Sequence, residues 1–220
     1  MMESNPDEST ALVPGVLAET QDFWVIDKPA GWLSVPGRSG EGVRRLPVLV
    51  DWVRENLGPA WVCHRLDVGT SGVWLVARNQ QAHRTANGWF EQHQVKKEYL
   101  FLASGQPGLP VLRLDAPIDG ARSVTQVQVR ERWVESNGFL GIARPQSGRR
   151  HQIRIHLSGV GHPLWGDLSY GSTRTQVGGL GISRPALHAS RLELPDGQVF
   201  ECPLARDFEA WLGAAQKGAG

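Results

Sequence analysis

With 220 residues, 40% of them hydrophobic and 20% charged, the chain can bury a core of ordinary size and falls in the range of one domain. Its 23 basic residues against 22 acidic ones give a formal charge of +1, which excludes nucleic-acid binding through bulk charge and leaves that task to a local basic patch. Two cysteines far apart, Cys63 and Cys202, exclude a disulfide framework and a cysteine metal site and fit a reducing cytoplasm, and no apolar run reaches membrane-spanning length.

In chain order, residues 1–20, with Pro6, Pro14 and Gly15, are expected to form a flexible segment too short for a separate N-terminal RNA-binding domain. The domain is expected over 21–213 and a small polar tail over 214–220. Phe23 to Ile26 reads as a buried strand stopped at Lys28-Pro29-Ala30-Gly31. Leu46, Leu49, Val50, Val53 and Leu57 recur at helical steps, and Gly58-Pro59 ends that helix. Val73 to Ala77 is a β-prone run followed by Asn79 as a helix cap and a polar helix to about Gln94. Short strands are predicted at Lys97 to Ala103, Val111 to Leu114, Ser123 to Arg130 and Phe139 to Ala143, joined by Gly and Pro turns. Arg150 to Leu157 is predicted as a short helix, and Ala186 to Leu194, Gln198 to Cys202 and Asp207 to Leu212 as strand, strand and closing helix.

Two segments concentrate chemistry. His64-Arg65-Leu66-Asp67-Val68-Gly69-Thr70-Ser71-Gly72 sets an acid beside an arginine in a turn-forming stretch, able to present a carboxylate to a pocket or merely to cap a turn. Further on, Gly148-Arg149-Arg150-His151-Gln152-Ile153-Arg154-Ile155-His156-Leu157 carries more cationic and hydrogen-bonding groups than packing needs. Its apolar positions could face a core while the cations meet phosphates.

Together with Asp22-Phe23-Trp24-Val25-Ile26-Asp27-Lys28-Pro29-Ala30-Gly31, Lys97-Glu98-Tyr99 and Pro185-Ala186-Leu187-His188-Ala189, these segments closely resemble, in order, the motif set of RluA-type pseudouridine synthases. The likeness runs from about residue 22 to about residue 204, with Arg150 standing where the family commonly has threonine. The resemblance implies a single α+β catalytic domain with a bent, mixed, mainly antiparallel sheet, flanking helices and a central active-site cleft. It implies Asp67 as the catalytic aspartate, Tyr99 in the pocket and Arg154 paired with the aspartate, holding it ionised. Arg65 is the candidate for filling the gap left by a flipped base, with His64, Lys97, Arg149, Arg150, His151 and His156 facing RNA and Leu187 and Ile153 lining the substrate pocket.

The implied reaction isomerises uridine in rRNA or tRNA to pseudouridine without a cofactor or metal. It breaks the glycosidic N1 bond, turns the base and rejoins it through C5. RNA is the expected partner, with no membrane involved and the chain acting as a monomer. Two rival readings are a catalytically silent RNA-binding protein of the same fold and, more distantly, a metal-dependent hydrolase built on His151, His156 and His162 with Asp67 or Asp167. The tryptophans Trp32, Trp61, Trp74, Trp89 and Trp165 could stack on bases but suit a core better.

Overall fold

The computed structural model describes residues 12–37 and 46–218. In chain order it has strands β1 (Gly15–Glu19) and β2 (Phe23–Lys28), helix α1 (Leu49–Asn56), β3 (Trp61–Val62), β4 (Ser71–Ala77), α2 (Gln80–Glu91), β5 (Lys96–Ser104), β6 (Val111–Leu114), β7 (Thr125–Trp133) and β8 (Gly138–Pro145). There follow α3 (Gln152–Gly159), a 3-10 turn at Leu168–Tyr170, the two-residue strands β9 (Gln176–Val177) and β10 (Leu180–Gly181), then β11 (Leu187–Glu193), β12 (Val199–Glu201) and α4 (Arg206–Lys217).

Ten strands form one sheet in the order β1-β2-β4-β11-β5-β8-β7-β6, with β12 beside β11 and β3 beside β4. All pairings but one are antiparallel, and the exception, β4 with β11, joins the two halves. The single α+β domain with a mixed, mainly antiparallel sheet is therefore as expected from the sequence. Every residue of β4 is buried, as suits an apolar strand covered on both faces. Alternation along β5 divides the rest of the core: Phe101 points to the face covered by α3, with Val127, Ile153 and Leu157, while Leu102 points to the face covered by α4, with Trp133, Trp165 and Trp211. Trp74 and Trp165 are fully buried and Trp89 packs on Phe23, so these tryptophans build the core rather than a stacking platform.

Several boundaries differ from expectation. β1 lies inside the stretch expected to be flexible, because a turn held by the Thr20 hydroxyl, which accepts the Phe23 N–H at 2.8 Å, folds it back along β2. Residues 1–11 lie outside the described part. At the other end α4 runs to Lys217, since Trp211 and Ala215 remain buried against the sheet. Asn79 caps α2 as predicted, its side chain accepting the Ala82 N–H at 2.8 Å. The helix predicted from Arg150 starts only at Gln152, because His151 sits in the left-handed region at φ 57°. The two-residue strands carry too little periodicity to be read from sequence.

Gly72 fixes the parallel junction. It has φ +116°, and a Cβ placed there would lie 2.2 Å from the Ala189 carbonyl oxygen on β11. Only glycine lets the backbones approach so closely at that angle. Gly72→Ala is expected to destabilise the fold by more than about 2 kcal/mol, read from urea unfolding midpoints.

Candidate active site

The segment between β3 and β4 is a loop held from below. Lys28, at the end of β2, is fully buried, and its ammonium donates to the carbonyl oxygens of Thr70 at 2.7 Å, Pro29 at 3.1 Å, Asp67 at 3.2 Å and Val68 at 3.3 Å. Burial, with the nearby Arg184 cation, pulls the Lys28 pKa down to about 7 against the pull of Asp67. The four carbonyls oppose that fall, because a neutral amine would turn a lone pair towards an acceptor. Arg184 adds a bond to the Gly69 carbonyl at 2.9 Å, the Gly31 N–H meets the Val68 carbonyl at 2.8 Å, and the Ser34 hydroxyl both donates to and accepts from the Leu66 backbone at 3.0 Å. With its carbonyls so occupied, the loop presents the Asp67 side chain outward.

Asp67, 29% exposed, stands at a cavity of about 80 Å³. The cavity is lined also by Arg65 and Thr70 from the same loop, Lys97 and Tyr99 from β5, Leu187 from β11, and Arg149, His151, Ile153 and Arg154 around the start of α3. Arg154 reaches Asp67 with an Nη1 to Oδ2 distance of 3.8 Å, and His151 with an Nε2 to Oδ1 distance of 3.7 Å. Both are ion-pair rather than hydrogen-bond distances.

The pairing expected between Arg154 and Asp67 is thus only the second of two. The guanidinium grips Asp167 with two bonds of 2.7 Å and lies over the Tyr170 ring, its centre 4.8 Å from the ring centroid. Burial acts to lower the Arg154 pKa, but the Asp167 bonds and the two carboxylate charges raise it overall, so the cation is permanent. His151 shares a hydrogen bond of 2.9 Å with the Tyr170 hydroxyl, and burial, with Arg154 and Arg150, lowers its pKa against the pull of Asp67. Tyr99 is flanked by Ala189 and Ala143 across the sheet. Burial first, and the Asp67 charge second, push its pKa up, so the phenol keeps its proton.

Other expectations divide. Arg65, Arg149 and Arg150 are exposed, and Arg65 and Arg149 border the cavity. His64 is turned into the domain instead of towards the cavity. Its Nε2 accepts the Leu75 N–H at 3.0 Å, its carbonyl accepts the Trp74 indole N–H at 2.9 Å, and its ring stacks on Phe90. Burial first, then Lys97, push its pKa down to about 3, because a second ring proton would meet an apolar enclosure. His156 is likewise structural, buried between the Thr125 hydroxyl at 2.8 Å and the Ala116 carbonyl at 2.9 Å, since an interior position of α3 points it into the domain. His162 bonds the Ser104 carbonyl at 3.1 Å, so the three histidines of the metal reading serve different partners.

A family described as RNA pseudouridylate synthase matches residues 22–159, which include the Asp67 loop, Tyr99 and Arg154. The chain belongs to that family. Within it, the chain is 34% identical over 228 residues to an uncharacterized RNA pseudouridine synthase of Zymomonas mobilis, covering 90% of this chain and 96% of that one. It is 30% identical over 209 residues to the dual-specificity RNA pseudouridine synthase RluA of Escherichia coli K12, covering 88% and 91%. An uncharacterized RNA pseudouridine synthase of Mycobacterium bovis is 32% identical, and there the chain spans only 63% of the relative's length. Among solved structures, human RNA pseudouridylate synthase domain containing 4 superposes with a TM-score of 0.74 at 26% identity, covering 92% of this chain and 93% of that one. The likeness to the Escherichia coli protein agrees with the RluA type that the motifs indicated.

Three residues that build this candidate site were not assigned to it from the sequence: Lys28, Gln152 and Asp167. Lys28 lay within a quoted motif, where its neighbour Pro29 invited the reading of a turn. Gln152 bonds the Ser147 hydroxyl at 2.7 Å, the Arg149 N–H at 3.1 Å and the Val124 carbonyl at 3.0 Å, so it fixes the turn that carries Arg149 and His151. Asp167 entered the reading only as a rival metal ligand, and its separation from Arg154 along the chain gave no sign of contact.

Asp167→Ala would leave the Arg154 cation without its buried partner and is expected to cost about 3 kcal/mol of stability, measured by urea unfolding. His64 adds an acid sensitivity. The unfolded chain takes up its proton near the ordinary 6.5, whereas the folded one resists down to about 3, so stability falls as pH drops below 6.5. His64→Gln, which keeps an acceptor for Leu75, is expected to show a shallower loss of unfolding midpoint between about pH 7 and about pH 5 than the parent.

Proposed function

We propose that the chain is an RNA pseudouridine synthase acting on uridine in a structured rRNA or tRNA, with Asp67 as its nucleophile. The observation that carries this reading is the convergence of one carboxylate, one permanent cation and one apolar-flanked phenol on a single cavity, from a loop, a helix and a strand far apart in sequence: Asp67, Arg154 and Tyr99, with Leu187 and Ile153 as apolar walls. The printed names of the relatives, RluA of Escherichia coli as a dual-specificity RNA pseudouridine synthase and a ribosomal large subunit pseudouridine synthase D of Nitrosomonas europaea, support RNA as the substrate class.

The cavity's volume of about 80 Å³ is below the roughly 300 Å³ at which small-molecule sites begin. In this reading only the base enters it, while ribose and phosphates stay at the mouth. In this reading a carboxylate oxygen of Asp67 attacks C1′ and the C1′–N1 pair departs with the uracil as an anion. The base turns against the Tyr99 ring, C5 bonds to C1′ and Asp67 is released; N1 gains a proton and C5 loses one, so the product is an isomer of the substrate. Arg154 orients the carboxylate across 3.8 Å, and Asp167 with Tyr170 keeps Arg154 in place. Arg65, two residues before Asp67 and exposed, is in this reading the side chain that enters the stack a flipped uridine vacates. The reaction is redox-neutral and transfers no group between molecules, so these side chains can carry every step.

The test is pseudouridine mapping of total RNA from cells with and without the gene, complemented by the parent and by Asp67→Asn. The expected result is at least one lost site that the parent restores and Asp67→Asn does not, with a rate at least about a thousandfold lower for the purified variant. Restoration by both would remove Asp67 as nucleophile, and the absence of any lost site would favour the silent RNA binder.

A further inference from the structure

A second cavity, of about 460 Å³, adjoins the first, and the two share Lys97 and Pro145 in their walls. It lies mainly on the opposite face of the sheet. Lys97 and Tyr99 point to the Asp67 side, whereas Glu98, ion-paired to Arg144 at 2.8 Å, points to the other, as the two-residue period of a strand requires. The groove thus begins at the Asp67 cavity and passes round the strand ends where β5 starts and β8 stops.

Its cations are not equivalent. Lys96 is matched by Glu193 at 2.6 Å, Arg191 by the same Glu193 at 3.1 Å and Arg144 by Glu98. Lys97 has no carboxylate within ion-pair distance among the described residues. Its ammonium is bound to the Ser147 carbonyl at 3.0 Å, which leaves donors free at the boundary of the two cavities. Burial brings its pKa down to about 8, so it is mostly charged at neutral pH. Beyond it, the exposed amides of Gln126 and Gln146 offer a donor and an acceptor each, and the one ring in the lining is the imidazole of His93.

We propose that this groove binds the nucleotide adjoining the target uridine, with Lys97 holding the phosphodiester that joins the two. The inference rests on the reading of the Asp67 cavity as a uridine site. A cavity that takes only the base, as in that reading, leaves the rest of the strand outside, and adjacent nucleotides share one phosphate, which must cross the boundary between their two sites. Lys97 is the cation at that boundary with no carboxylate to satisfy it. The groove's size lies within the range of nucleotide-sized ligands, and its matched ion pairs and amides suit hydrogen bonding to a base edge rather than attraction of further phosphates. Two neighbouring bases directed to opposite faces of a sheet also gives a physical account of how a stacked strand is held open around the target.

The test is fluorescence anisotropy of a fluorescein-labelled single-stranded hexauridylate against the full chain at several KCl concentrations, with thermal melting to verify folding of each variant. Lys97→Gln is expected to weaken binding and to reduce the slope of log affinity against log salt by about 0.7, the value for one phosphate on a single strand. Gln126→Ala is expected to weaken binding about two- to tenfold with the slope unchanged. An unchanged slope for Lys97→Gln, or an unchanged affinity for Gln126→Ala, overturns the proposal. Pseudouridine mapping separates this from the activity: a protein that restores a lost site yet binds the hexamer indifferently to both substitutions loses only the groove. One that binds as expected but restores no site keeps the groove and loses the isomerase.

Discussion

The buried ammonium of Lys28 is the constraint on which the site depends. Removing an ion from water costs several kcal/mol, and here the cost is offset by the four carbonyl oxygens that accept from the ammonium. Three of those four carbonyls belong to the segment Asp67 to Thr70. The same bonds that make the lysine tolerable therefore give the loop one conformation, and Asp67 has its direction because the backbone beneath it cannot turn.

From there the constraint spreads through a second buried cation. Arg184 holds the Gly69 carbonyl and the Ser71 hydroxyl while its guanidinium makes two bonds of 2.7 Å to Asp207 at the start of α4. The closing helix is thereby tied to the loop. A second arginine repeats the arrangement on the other side, since Arg154 is fixed by Asp167 before it reaches towards Asp67. In each case a carboxylate one step removed from the cavity holds the cation, and the cation's remaining donors serve the site. The preorganisation comes from charged pairs that stay satisfied whether or not a substrate is present.

The sheet supplies the rest. Its two halves meet where β4 runs parallel to β11, and the residues around that junction, Gly72, Leu187 and Ala189, border the loop or the cavity. Tyr99 packs against both the core behind β2 and β4 and the core beneath α3. The cavity is thus a seam between two packed units.

Much of this was legible in the residues. Val73 to Ala77 is a compact β-prone run, Asn79 could cap a helix, and the ordered motifs around Asp67, Tyr99 and Arg154 resemble those of a uridine isomerase. What the residues did not reveal is which of several similar groups face the cavity. His64 and His151 are both histidines in cation-rich motifs, yet one is enclosed against Phe90 and Leu75 while the other, turned by its left-handed backbone, meets Asp67. Arg154 could be matched with an acid, but the choice of Asp167 over Asp67 as its closest partner depends on how the segment after α3 folds back. The sequence by itself determined the elements and the inventory of chemistry, because periodicity and residue type are local. The tertiary structure alone decided that Asp67 is held by Lys28 and approached by Arg154 and His151, because those distances depend on strand order and loop path, which no local pattern encodes.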